Sequence, residues 1–141
     1  TKKMSKSDTS DYSRIMLSDN ADQIVQKIKK AKTDPHLLPS DIKETTKRPE
    51  AYNLLSIFAA LNDITINQVV QLYAGKDFSI FKNDLADLIV QKIEPIGKEI
   101  KYLMNDKIYL DSLILNGKNK AIQQADSVLR KVYKIVGFTK T

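Results

Sequence analysis

Cysteine and tryptophan are absent from the 141 residues, and histidine occurs once, at position 36. Without thiols there can be no disulfide, iron–sulfur cluster, thiolate zinc site or cysteine nucleophile. A lone His36 leaves a histidine metal cage or a Ser-His-Asp triad almost nothing to draw on, so no metal site is expected and His36 reads as a surface residue. Glycine and proline number four each, too few glycines, and too scattered, for a Gly-rich phosphate cradle. No apolar run approaches the roughly 18 residues that a membrane span requires. None follows a charged N-terminus as a signal peptide would, and the expected compartment is the cytoplasm.

What is present is globular: 42% hydrophobic and 28% charged residues, with a net charge of +6. The charge is unevenly placed. Residues 1–48 carry 11 basic against 7 acidic side chains, residues 49–114 carry 6 against 9, and residues 115–141 carry 6 against 1. A positive field at both ends with an acidic middle suits a polyanionic partner, or else two solvated helix surfaces. Only Arg14, Arg48 and Arg130 are arginines. Lysine is a point charge, fitted to phosphate more than to bidentate base reading.

Apolar residues recur at helical spacing almost throughout, and no stretch alternates with period two for long enough to form a strand. After a polar segment 1–13 and a short extended piece 14–17, Ser18, Asp19 and Asn20 offer a cap. The helix behind them carries Ile24, Val25 and Ile28, with Lys27, Lys29, Lys30 and Lys32 off that face. Residues 33–48, with Pro35 and Pro39, read as a long loop. Pro49 opens a second helix, Thr65 caps a third that stops at Gly75, and a fourth begins near Ser79 and should break or kink at Pro95. Asn105-Asp106 caps a fifth that ends at Asn116-Gly117. A sixth, from Ala121 to Val136, closes at Gly137. The fold class is all-α, a helical bundle whose amphipathic stretches share one core. Asp84 and Asp87 read as part of a solvated face, and the aromatic residues as core rather than as stacking platforms for bases.

One short run carries chemistry: Lys3-Met4-Ser5-Lys6-Ser7. Two ammonium groups with small hydroxyl residues are what a triphosphate needs as charge builds on departing pyrophosphate. The bland alternative is an ordinary lysine-rich terminus. This pentapeptide is similar to the signature loop of class I aminoacyl-tRNA synthetases. The chain as a whole resembles the C-terminal portion of bacterial-type tryptophanyl-tRNA synthetases. The resemblance runs through Ser18-Asp19 into Val25–Asp34 (ending Lys-Ala-Lys-Thr-Asp), then Asn53-Leu54-Leu55, Phe81–Ala86, Pro95-Ile96, Asn116–Ala121 and Val136-Gly137-Phe138. It departs at Arg48–Tyr52, where the family usually has a glycine, and at Asn119, where it usually has an acid.

The resemblance implies a fragment. Residues 1–17 would be the signature loop and the end of a Rossmann-type catalytic domain, and residues 18–141 a helical region that binds the tRNA anticodon. It further implies activation of tryptophan with ATP and Mg2+, then transfer to tRNA(Trp), by a homodimer joined through a preceding half. Lys6 and Lys3 would be catalytic, Lys3, Met4, Ser5, Lys6 and Ser7 would bind ATP, and the fragment by itself would be inactive. Arg130, Lys131 and Lys134, with the lysines of the first helix, are the candidate tRNA contacts. Two other readings stay open: a tyrosyl-type synthetase, against which stands the lack of an additional RNA-binding domain after the helices, and a non-catalytic helical RNA-binding or scaffolding module.

Overall fold

The computed structural model describes residues 9–138. After a 3-10 turn at Asp11–Ser13 come six helices: α1 (Ala21–Lys30), α2 (Ile42–Lys47), α3 (Pro49–Leu61), α4 (Ile66–Tyr73), α5 (Phe78–Asn105) and α6 (Lys107–Val136). No strand occurs among the described residues, so the all-α expectation holds. The caps account for the starts. Asn20 and Gln23 close a reciprocal capping box on α1, Thr65 and Gln68 another on α4, and Asp106 accepts from the Tyr109 N–H at the head of α6. Gly137, at φ 77°, ends α6 in the left-handed region that glycine tolerates.

Three expectations are corrected. The 33–48 segment contains a short helix, α2, which a six-residue stretch without apolar period does not announce. The Asp41 side chain accepts from the Glu44 N–H at 2.8 Å and its carbonyl from Thr45 Oγ1 at 2.6 Å. Pro95 lies inside α5 without ending it. Phe81, Leu85 and Ile89 are buried on one side of it and Gly97 on the other, so packing outweighs the missing N–H. Gly117 likewise sits within a continuous α6, because a single glycine costs a helix only about 1 kcal/mol.

The chain divides into two units, Thr1–Glu99 and Ile100–Thr141, with α5 running across the boundary. The core belongs to the first. It is built from Ile24 and Ile28 of α1, Leu54, Leu55 and Phe58 of α3, Val69, Val70 and Tyr73 of α4, and Phe81, Leu85 and Ile89 of α5. At its centre Phe58, Tyr73 and Phe81 meet with ring centroids 4.9–5.7 Å apart, the spacing that edge-on and tilted aromatic pairs favour. In the second unit, α6 has no buried residue. No helix among the described residues is long and apolar enough to cross a membrane.

Candidate nucleotide loop and RNA-binding faces

Lys3, Met4, Ser5, Lys6 and Ser7 lie outside the described residues. The stretch they lead into is tied down along α1. Lys30 Nζ donates to the Tyr12 hydroxyl at 2.9 Å and stands 4.2 Å over its ring. Arg14 pairs with Asp11 at 3.0 Å. Residues 16–19 close a tight turn. The Asp19 N–H donates to the Met16 carbonyl at 3.0 Å, and the Asp19 carboxylate accepts from the Met16 N–H at 2.8 Å. The same carboxylate takes Lys27 Nζ at 2.5 Å, both side chains being buried. Behind the turn stands Gly97 of α5, where an added Cβ would lie 2.6 Å from the Leu17 carbonyl oxygen. Beside it a cavity of about 420 Å3 opens between Tyr12, Arg14, Ile15, Lys27, Asn53 and Ile57.

The lysines of α1 therefore do not act as one surface cluster. Lys27 turns inward, contrary to expectation, because it follows Ile24 by three residues and precedes Ile28 by one, both buried. Lys30 serves Tyr12 and Lys32 pairs with Glu50 at 3.2 Å. Lys29 is exposed and lines a cavity of about 300 Å3 with Thr33, Phe78, Ser79, Lys82 and Asn83. Lys82 is buried there, donating to the carbonyls of Ala31 at 2.6 Å and Lys29 at 3.2 Å, where α1 runs out of internal donors. Burial holds its ammonium below the usual lysine range.

Arg48 organises the loop between α1 and α3. Nε and Nη2 hold Asp34 at 3.0 and 2.6 Å, and Nη1 donates to the Leu37 carbonyl at 2.7 Å and to Glu44 at 3.4 Å. The paired hydrogen bonds from Arg48 keep the Asp34 carboxyl below the ordinary aspartate range, and Asp34 in turn raises Arg48. Sequence reasoning missed Lys82, Arg48 and Gly97 as key positions. The signals were a lysine beside Phe81 on an apolar stripe, an arginine in a lysine-dominated chain, and a glycine within a helical period. Asp84, read as solvated, accepts from the Tyr73 hydroxyl at 2.8 Å. Burial, and then this bond, raise the phenol well above its usual range. His36 is exposed.

On α6, Arg130, Lys131 and Lys134 are exposed. Arg130 engages Asp126 one turn earlier, so its fork is already in an ion pair, of the exposed kind worth at most about 1 kcal/mol.

Residues 1–96 match the family described as tRNA synthetases class I (W and Y). Over 138 residues the chain is 48% identical to a tryptophan–tRNA ligase of Rhizobium meliloti, covering 98% of this chain and 39% of that protein. It is 49% identical over 136 residues to the ligase of Caulobacter vibrioides, covering 96% of this chain and 40% of that one. With the ligase of Rickettsia felis the figures are 45% over 137 residues, 97% and 41%. The chain thus spans about 40% of the length of the curated relatives it matches.

Proposed function

The chain belongs to the class I tRNA synthetases of the tryptophan and tyrosine family, and from that premise we propose that it is part of a tryptophan–tRNA ligase. The observation that carries this reading is a match to tryptophan–tRNA ligases over nearly the whole chain, with Lys3-Met4-Ser5-Lys6-Ser7 inside the family-matched region. The matched relatives bear the tryptophan name, which favours that substrate over tyrosine.

The enzyme would join tryptophan to ATP as tryptophanyl adenylate, releasing pyrophosphate, and then pass tryptophan to tRNA(Trp). Lys6, supported by Lys3, would stabilise negative charge that grows on the departing pyrophosphate, with Met4, Ser5 and Ser7 shaping the ATP contact. Mg2+ would arrive on the triphosphate. Residues 1–17 would close the catalytic site and residues 18–141 would hold the anticodon arm of the tRNA. The whole enzyme would act in the cytoplasm as a homodimer joined through the half outside this chain. In the intact enzyme Lys6→Ala should slow adenylation about 100-fold or more while leaving tryptophan affinity nearly unchanged. Weaker tryptophan binding at an unaltered rate would refute that role.

The tRNA would be held largely through phosphates, by Lys131, Lys134 and Arg130 on α6. Lysine contacts are non-directional and screened by salt. Replacing all three by glutamate in the intact enzyme should raise the KM for tRNA and flatten its salt dependence, with pyrophosphate exchange unchanged. Unaltered tRNA charging across a salt series would remove α6 from the RNA surface.

A further inference from the structure

The connector between the signature pentapeptide and α1 is pinned at two points, and both pins come from α1. Lys27 and Lys30 stand three residues apart, a spacing that makes them neighbours on the helix surface. Lys27 reaches Asp19, at the end of the connector next to α1, and that pair is buried. Lys30 reaches the other end. Its Nζ donates to the Tyr12 hydroxyl at 2.9 Å and stands 4.2 Å from the centre of the Tyr12 ring. Between the pins, Ile15 packs against the core. The bonds from Ser13 to the Ser10 carbonyl and from Arg14 to Asp11 span three residues and shape the turn locally, whereas the Lys30 bond spans eighteen and fixes it to a helix. The two pins differ in kind. Breaking the buried Lys27–Asp19 pair strands a charge. Tyr12 is half exposed and Lys30 is exposed, so their contact adds little to folding. Its use lies in its place in the chain.

Tyr12 follows Lys6 by six residues, a length of chain that spans at most about 20 Å. Without the Lys30 contact the next downstream side chain packed on the core is Ile15, nine residues from Lys6, and the reach grows to about 30 Å. A longer tether lowers the share of time that Lys6 spends where it can serve a departing pyrophosphate. Misplacing a catalytic group by about 1 Å can cost as much as about 100-fold in rate. We propose that Tyr12 and Lys30 are positioning residues for adenylation: Lys30 grips the Tyr12 hydroxyl and ring, and so fixes the point from which the chain carries Lys6 to the ATP phosphates. The proposal rests on the phosphate role given to Lys6 above. Lys30 suits the task because it stands in the last turn of α1, whose Ile24 and Ile28 are buried in the core, so the grip inherits the rigidity of that core. An ammonium group has donors enough to bond a hydroxyl oxygen and face an aromatic ring at once.

Pyrophosphate exchange by the intact synthetase tests it, run without tRNA so that RNA contacts of Lys30 do not enter. Tyr12→Leu and Lys30→Met should each lower kcat about tenfold, with the KM for tryptophan unchanged. The double variant should be no slower than either single one, because the two side chains act as a unit. Lys30→Arg, which can still donate to the hydroxyl and lie over the ring, should restore most of the rate. In a Lys6→Ala background Tyr12→Leu should cost less than about twofold, since the contact acts through Lys6. Thermal melting of Tyr12→Leu and Lys30→Met should match that of the wild type. A full-rate Tyr12→Leu enzyme beside a slow Lys6→Ala enzyme would overturn the proposal and leave the reading of the loop standing. A tenfold loss that persists in the Lys6→Ala background, or that comes with a lowered melting temperature, would mark a merely structural role and overturn it too. A Lys6→Ala enzyme with the wild-type rate would overturn both the proposal and the reading beneath it.

Discussion

Lys27 shows how a charged side chain becomes structural when helix phase carries it to the inner face. With Asp19 it forms a pair in which both side chains are 8% exposed, and Asp19 also holds the Met16 N–H. Removing one partner strands the other, so Asp19→Ala or Lys27→Ala should each cost about 3–5 kcal/mol in chemical denaturation. The double variant should cost much less than the sum of the two. Additive losses would mean the two groups do not interact. A second pair has a pH signature. Asp34 titrates below its unfolded value near 3.9, so its bond to Arg48 contributes in full above that pH and is lost as pH falls through the lower folded value. Charged hydrogen bonds of this kind contribute about 1.5–3 kcal/mol. Asp34→Asn should therefore lower stability at neutral pH and flatten the acid limb of a pH–stability curve. An unchanged acid limb would show that other carboxylates govern it.

Among the helices, two glycines with similar positions in sequence pattern have opposite meanings in space. Gly97 of α5 meets the Leu17 carbonyl so closely that a methyl group would need the backbone to move, whereas Gly117 of α6 has nothing within 4 Å. Gly97→Ala should destabilise the first unit by about 1–3 kcal/mol. Gly117→Ala should stabilise α6 by up to about 1 kcal/mol, read as added helicity by circular dichroism. Equal effects would mean that the close approach at Leu17 is easily relieved. The helix starts at Asn20, Pro49, Thr65 and Asp106 were legible because capping is a local matter between neighbouring residues. Continuity through Pro95 and Gly117 was not legible at either site. A breaker's penalty of a few kcal/mol is decided by what the flanking turns gain elsewhere.

At the scale of the molecule, the described core is built by the first unit, and α6 of the second has no buried residue. The helices of the first unit should lose structure in one cooperative thermal transition, while α6 in the isolated chain should exchange its amides at temperatures well below that transition. A single transition that includes α6 amides would contradict the division into two units. The N-terminal lysines are partly consumed by Asp19, Tyr12 and Glu50, and the exposed set on α6 is left as the main candidate for phosphate contact.

The sequence alone determined the helical class, most helix starts, the family resemblance and the signature pentapeptide, because each rests on residues close together in the chain. Tertiary structure decided the rest. It turned Lys27 and Lys82 inward, joined Asp34 to Arg48 and Tyr73 to Asp84, and carried α5 past its proline. Amphipathic spacing specifies that a helix has an apolar face, but which surface covers that face depends on residues distant in sequence.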